Sequence, residues 1–78
     1  MNVAKQFGEN LTRARKSADL SQDELAARAS VHRTAISQME RGMRVVRIDT
    51  LVKLATCVEA SPLKLLDGIG WEPHEQKG

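Results

Sequence analysis

The residues best suited to binding chemistry in this 78-residue chain lie in the segment RTAISQMER, residues 33–41. When successive residues are advanced by about 100°, as in an α-helix, the polar side chains gather on one side. That side carries hydrogen-bond donors and no carboxylate: Arg33, Thr34, Ser37, Gln38 and Arg41. Such a surface is suited to an anionic partner. The opposite side carries Ala35, Ile36 and Met39 and is predicted to be buried.

A second helix is predicted directly before this one, beginning at Gln22. Ser21 and Glu24 have the spacing of a capping box, in which each side chain accepts a hydrogen bond from the other residue's backbone N–H. Gly42 follows the segment at the position where glycine adopts the left-handed conformation that ends a helix. The two helices and their connecting turn are therefore predicted to span about residues 22–41.

The other segments are also predicted to be helical, which gives an all-α fold. Apolar residues recur at steps of three or four over about residues 2–18 and 48–58. The two stripes are Val3, Phe7, Leu11, Ala14 and Ala18, and Ile48, Leu51, Leu54, Ala55 and Val58. Ser61 and Pro62 are typical of the N-cap and first position of a fifth helix, which is expected to end by Gly68. We predict one domain over residues 1–68 and a fraying tail over residues 69–78.

Composition argues against several classes of protein. The single cysteine, Cys57, has no second cysteine with which to form a disulfide or a metal motif. No catalytic base can be proposed beside it, so we interpret it as a packing residue and expect no enzymatic activity and no cofactor. No apolar stretch approaches the roughly 20 residues that span a bilayer, and no signal peptide is recognised. We expect a soluble, cytoplasmic protein without a membrane partner.

The charge of the chain is unevenly distributed, although its net value is only +2. Residues 1–47 hold nine Lys/Arg against five Asp/Glu, whereas residues 48–78 hold three against five. The basic part contains the two-helix unit. A merely solvated basic face would give the same balance, and the spacing of the donors over residues 33–41 is what favours a nucleic-acid partner.

These features resemble the Cro and lambda-repressor type of helix-turn-helix domain, also called the xenobiotic-response-element family. The resemblance rests on Leu20-Ser21-Gln22-x-Glu24-Leu25-Ala26, Val31, Arg33-Thr34-x-Ile36-Ser37, Glu40-Arg41-Gly42, Leu51, Leu54 and Ala55. It covers about residues 7–66 and implies a compact five-helix domain whose third helix enters the major groove of DNA. It also implies an ion pair between Arg15 and Glu40, since a buried carboxylate needs such a partner, and we interpret this pair as structural. The alternative, in which the pair holds Arg15 against a phosphate, is not distinguished by the sequence.

The chain departs from this family's pattern at three places. Ser30 stands where the family usually has glycine, so a positive φ is expected there at a cost of about 1 kcal/mol. His32 replaces the usual Ser or Thr cap, and its ring is expected either to cap the third helix or to contact a phosphate. A metal role is not expected, because the other histidine is His74 in the tail. The loop at Val46 and Arg47 lacks the family's usual proline and small polar cap, which leaves its conformation open.

The resemblance implies a sequence-specific, double-stranded DNA-binding transcriptional regulator, which we expect to be a repressor. Base edges are expected to be contacted by Arg33, Thr34, Ser37 and Gln38. Arg33 is suited to guanine and Gln38 to adenine. Phosphate contacts are expected from Gln22, His32, Arg41, Arg44 and Arg47. With no ligand-binding domain appended, no small-molecule ligand is expected.

We expect the functional unit to be a homodimer on a palindromic operator, because one recognition helix contacts too few base pairs for a regulator's specificity. In the fifth helix, Leu63 and Leu66 share one side and Leu65 and Ile69 another, so one side can close the core and the other is left over. Leu65, Ile69 and Trp71 are predicted to form the interface, although Trp71 can equally pack on its own core.

An alternative hypothesis is an antitoxin or adaptor that binds a protein partner and regulates its own gene through the same domain. The apolar anchors of the tail, Ile69 and Trp71, would then contact that partner. A tight complex with a second protein would distinguish this hypothesis from a regulator that needs only its operator.

Overall fold

The structure, a computed structural model, describes residues 2–71 and Pro73. Over these residues the chain forms α1 (Val3–Ser17), α2 (Gln22–Ala29), α3 (Arg33–Glu40), α4 (Ile48–Cys57) and α5 (Pro62–Leu65). None of the described residues forms a strand, so the predicted all-α, five-helix fold is confirmed. α5 is a single turn, shorter than predicted, because residues 66–68 form a turn rather than helix. No helix in the described part of the chain is long and apolar enough to cross a membrane.

Side-chain caps mark the starts of α1, α2 and α5. Both bonds of the predicted capping box are present, with Glu24 N donating to Ser21 Oγ at 3.0 Å and Ser21 N donating to Glu24 Oε1 at 2.9 Å. Asn2 Oδ1 accepts one bond from Lys5 N at the start of α1, and Ser61 Oγ accepts one from Leu63 N at the start of α5. Because these signals are local, the sequence places the helix starts well.

One side of each helix forms the core. Its buried apolar residues are Phe7, Leu11, Leu20, Leu25, Ala26, Ala29, Ala35, Ile36, Met39, Leu51, Leu54, Ala55, Val58 and Leu65. The predicted inner side of α3 is therefore buried. Two residues of the predicted stripes are not, since Val3 is exposed and Ile48 is 80 % exposed. Each is the first residue of its helix and lies beyond the edge of a small core.

The close packing of α1 on α3 depends on a glycine in the middle of α1. A Cβ atom at Gly8 would lie 2.4 Å from the carbonyl oxygen of Met39 and 2.6 Å from that of Glu40. These distances are far inside van der Waals contact, so a larger residue would push α3 away from α1. Gly8 thus allows the backbone of α1 to approach the end of α3.

The two-helix unit has the turn geometry that its sequence predicts. Ser30 has φ 55°, the left-handed conformation expected where the family usually has glycine. Gly42 has φ 72° directly after α3. Ser30 ends α2, and its conformation helps to set the angle between α2 and α3. Gly42 ends α3.

The predicted interface residue Leu65 is wrongly assigned. Leu65 is fully buried, whereas Leu63 is 76 % and Leu66 38 % exposed. The reason is that the Leu65 side of α5 faces the helices beneath it and closes the core. Ile69 is partly buried against that core, and Trp71 is 79 % exposed, which excludes packing on its own core. Of the predicted tail, residues 72 and 74–78, including His74, lie outside the described residues.

Candidate nucleic-acid interface

The outer face of α3 presents the polar side chains predicted to contact bases. Arg33 and Thr34 are exposed, and Ser37 and Gln38 are partly exposed. Arg33 also lies 3.4 Å from the Asp23 carboxylate of α2, with both side chains largely exposed. An exposed pair of this kind contributes little stability, so the guanidinium can turn to another partner at small cost.

The amide of Gln38 is within reach of a loop arginine. Arg44 Nη1 donates to Gln38 Oε1 at 3.5 Å. The contact is long, exposed and weak, and it was not foreseen from the sequence because the two residues belong to different segments. It places a cation at the edge of the polar face of α3.

The ring of His32 does not cap α3, and the expectation of a cap is wrong. His32 has the extended backbone of an N-cap residue, but its side chain makes no capping hydrogen bond. The His32 side chain instead lines a groove beside the start of α3. The exposed imidazole is therefore available to another partner.

A groove of about 530 Å³ runs beside the start of α3. His32 and Thr34 line it from α3 and its cap, and Arg44 and Arg47 line it from the loop that follows α3. No carboxylate is among the described residues that line this groove. Donors and positive charge without an acidic residue suit a phosphodiester backbone.

The two remaining predicted phosphate contacts lie outside this groove. Arg41 is exposed at the end of α3, and Gln22 is at the start of α2.

Gln22 has a partner that sequence analysis did not predict. Its Nε2 donates to Glu40 Oε1 at 3.0 Å, so the amide is turned toward the carboxylate at the end of α3. The same carboxylate accepts hydrogen bonds from Arg15 in α1. Glu40 thereby connects α1, α2 and α3. A phosphate contact by Gln22 remains a prediction, and it would use the second N–H of Nε2, because the amide oxygen cannot donate to a phosphate.

The protonation of this cluster follows from its hydrogen bonds. Burial raises the pKa of the Glu40 carboxyl, but the donors Arg15 and Gln22 outweigh burial, so the pKa lies below its usual value. The hydrogen bond to Glu40 raises the pKa of Arg15. Both side chains are therefore charged at neutral pH, and the pair is an ion pair rather than a neutral hydrogen bond.

A second, apolar groove of about 260 Å³ adjoins the first, and Arg44, Val45 and Val46 line both. Ile48 and Leu66 line it, together with Val3, Phe7, Val45 and Ile69. Val52 lies one turn after Ile48 and Leu63 one turn before Leu66, and both are exposed. We call Ile48, Val52, Leu63 and Leu66 the apolar patch. The sequence showed that the apolar residues of α5 lie on two sides of the helix. It did not show that Ile48 and Val52 of α4 are exposed as well and extend the apolar surface of Leu63 and Leu66.

Comparison with known proteins identifies the family. A helix-turn-helix family model, HTH_3, matches residues 11–65, which is more than half of the chain. Control protein C.BamHI of Bacillus amyloliquefaciens is 37 % identical over 67 residues, covering 85 % of this chain and 83 % of that protein. Control protein C.SmaI of Serratia marcescens is 38 % identical over 66 residues, covering 85 % and 79 %.

Solved structures with a similar fold are also those of regulatory proteins. The restriction-modification controller protein C.AhdI of Aeromonas hydrophila matches with a TM-score of 0.76 and 34 % identity, over 80 % of this chain and 94 % of that one. The clp gene regulator ClgR of C. glutamicum matches with a TM-score of 0.80 and 25 % identity, over 82 % of each chain. All four relatives are controllers or regulators rather than enzymes. The chain belongs to the HTH_3 helix-turn-helix family, and it is a DNA-binding transcriptional regulator with the lambda-repressor-like fold.

Proposed function

We propose that the chain binds a palindromic operator as a homodimer and controls the genes of a restriction–modification system in the cytoplasm. The observation that carries the DNA-binding part is the carboxylate-free polar face of α3 with the basic groove beside it. The link to restriction and modification is supported by two similar control proteins and by the solved controller C.AhdI.

In this proposal α3 lies in the major groove of DNA. Arg33 donates two hydrogen bonds to a guanine, and Gln38 forms a bidentate pair with an adenine. Thr34 and Ser37 add shorter contacts to bases or to the adjoining backbone. Because Arg33 and Gln38 are five residues apart, they reach base pairs at different positions of one half-site.

The proposed phosphate contacts lie at both ends of the polar face of α3. Arg44, Arg47 and His32 hold one strand along the basic groove, and Arg41 and Gln22 contact the backbone near the other end of α3. Contacts of this kind supply affinity and orientation without distinguishing sequences. Arg47 also lies 3.4 Å from Asp49, an exposed pair that a phosphate can replace.

The homodimer forms through the apolar patch. Leu65, which was predicted to lie in the interface, is buried in the core and cannot contribute. The side chains of Ile48, Val52, Leu63 and Leu66 are 38 to 80 % exposed, and a symmetric interface would bury this apolar surface in both protomers. Ile69 and the exposed Trp71 follow α5 directly and extend the same region. Two recognition helices then contact two half-sites about 34 Å apart.

Repression is the expected mode of control, through occupation of a site that overlaps a promoter. The antitoxin or adaptor hypothesis has weaker support, since it rests on the exposed Trp71 alone, whereas the relatives above are controllers. It predicts a stable complex with a second protein in the absence of DNA.

Selection of bound sequences from random duplexes, using the purified chain, tests the proposal. We expect one enriched motif that is palindromic and whose half-sites are one helical turn apart. Sedimentation of the chain on that duplex should give two chains per duplex. Enrichment of no motif, or of an asymmetric site that binds one chain, would contradict the proposed mode of binding.

A further inference from the structure

Asn10 of α1 is the buried polar side chain in the described part of the chain, and all of its hydrogen-bonding groups have partners. Nδ2 donates to the carbonyl oxygen of Leu65 at 2.9 Å and to that of Asp67 at 2.8 Å. Its Oδ1 accepts from Gln6 Nε2 at 3.1 Å. Both amide protons and the amide oxygen are thus used, and the side chain is 3 % exposed. An amide satisfied in this way has one orientation.

The two carbonyl groups that Asn10 binds lie on either side of Leu66. α5 is a helix of four residues, too short to be stable by itself. Backbone N–H groups donate to the carbonyl oxygens of Leu63, Lys64 and Leu66, and Asn10 donates to the two carbonyl oxygens of Leu65 and Asp67. The buried Leu65 and the partly buried Ile69 hold this segment against the core on either side of Leu66. The two bonds from Asn10 hold the backbone carbonyl groups next to Leu66 in place, and so fix the direction in which Leu66 points.

The opposite side of α1 is fixed to the recognition helix. Gly8 lets the backbone of α1 contact the end of α3, and Arg15 holds Glu40 by two hydrogen bonds. A helix of 15 residues is about 22 Å long and behaves as one rigid body. α1 therefore lies between α3, which faces the DNA, and the turn after α5, which carries part of the apolar patch.

We propose that Asn10 is a positioning residue that sets which spacing of half-sites the dimer accepts. This inference rests on the dimer of the proposed function. In a two-fold symmetric dimer, any rotation of α5 relative to α3 acts in both protomers, so its effect on the separation of the two α3 helices is doubled. One extra base pair between half-sites moves them apart by about 3.4 Å and turns them by about 35°. If α5 is held rigidly relative to α3, the dimer cannot adjust to the changed spacing and binding weakens. If α5 can rotate, the dimer adjusts and binding is retained.

The test compares the affinity for a selected palindromic duplex with that for the same duplex carrying one inserted or one deleted central base pair. For the unaltered chain, we expect the changed spacing to weaken binding at least about tenfold, comparable with the loss of one good base contact. Asn10→Ala removes both bonds to the carbonyl groups. We expect this variant to lose most of the discrimination, to about threefold or less, while still binding a single half-site as the unaltered chain does.

Two control variants separate positioning from stability. Gln6→Ala removes only the outer hydrogen bond and should keep the full spacing preference. Leu20→Ala shortens a buried side chain at the start of α2, away from α5, and should lower the melting temperature while keeping the preference. If Asn10→Ala does not fold, Asn10→Ser, whose single hydroxyl donor can replace one bond at most, takes its place in the same measurement.

The outcomes distinguish the inference from the proposed function. An unchanged spacing preference in a folded Asn10 variant would overturn the role of Asn10 and leave the dimer intact. An unaltered chain that binds all spacings equally, and sediments as one chain per duplex, would overturn the dimer and with it this inference.

Discussion

Arg15 and Glu40 form a bidentate ion pair between α1 and α3, with Nε to Oε2 at 2.6 Å and Nη2 to Oε1 at 3.0 Å. The side chains are only 11 % and 6 % exposed. Arg15 Nη1 also donates to the Leu20 carbonyl at 2.9 Å, and Gln22 donates to Glu40. The pair therefore ties the end of the recognition helix to α1 and to the start of α2. We assign it a structural role, as the resemblance to the family implied.

Replacing one partner of this pair should be strongly destabilising. Arg15→Met or Glu40→Leu leaves the other charge buried and unpaired, and we expect a loss of about 3 to 5 kcal/mol in the free energy of unfolding. The double variant removes both charges and should recover much of that loss. Urea unfolding followed by circular dichroism measures all three. Single variants that lose less than about 1 kcal/mol would indicate a pair that behaves as an exposed one.

The same pair predicts the direction of pH dependence. The pKa of Glu40 is lower in the folded chain than the usual glutamate value of about 4.3, so Glu40 contributes stability above that pH. This contribution is lost as pH falls through the folded pKa. Hydrogen bonds with Ser21 lower the pKa of Glu24 and act in the same direction. The free energy of unfolding should thus decrease as pH falls below about 4.3, and less steeply in Glu40→Gln. An equal slope in both chains would contradict the assignment.

The apolar patch can be tested by adding a charge to it. Leu63 is exposed, so Leu63→Asp should leave the monomer folded but place a carboxylate in the interface, and sedimentation at micromolar concentration should show a monomer. Leu65→Asp is the matched comparison, since the same change in the core should unfold the chain. A Leu63→Asp chain that still dimerises as tightly as the unaltered one would exclude this surface.

Arg44 is predicted to contact phosphate. Arg44→Ala should weaken binding to all duplexes alike and reduce the slope of log affinity against log salt by about 0.9. Arg44→Lys keeps the charge and should keep the slope. If Arg44→Ala instead changes which bases are preferred, its hydrogen bond to Gln38 is the relevant contact, and the phosphate assignment is wrong.

Much of the fold could be predicted because its signals are local. The capping box at Ser21 and Glu24, the glycine at position 42 and the Ser61-Pro62 pair each depend on neighbouring residues alone. Helical spacing likewise identified the polar face of α3, since that face requires only the 3.6-residue repeat. The positive φ at Ser30 was expected from the resemblance to the family, which usually has glycine at this position.

The features that were missed depend on residues distant in sequence. Spacing showed that α5 has two apolar sides, but which side faces the core depends on the helices beneath, and Leu65 was assigned to the wrong one. The partners of Asn10 are carbonyl groups 55 and 57 residues away, which no local pattern indicates. The bond from Gln22 to Glu40 joins two helices in the same way.

The central claim is that the outer face of α3 contacts base edges, and Gln38 is its most direct test. Binding of the unaltered chain and Gln38→Ala is measured by fluorescence anisotropy on the selected operator and on duplexes that each carry one substituted base pair. We expect Gln38→Ala to lose about 1 to 3 kcal/mol on the operator and to become indifferent at one or two positions of each half-site, with its thermal unfolding unchanged. An equal loss on every duplex, with all base preferences retained, would contradict the claim.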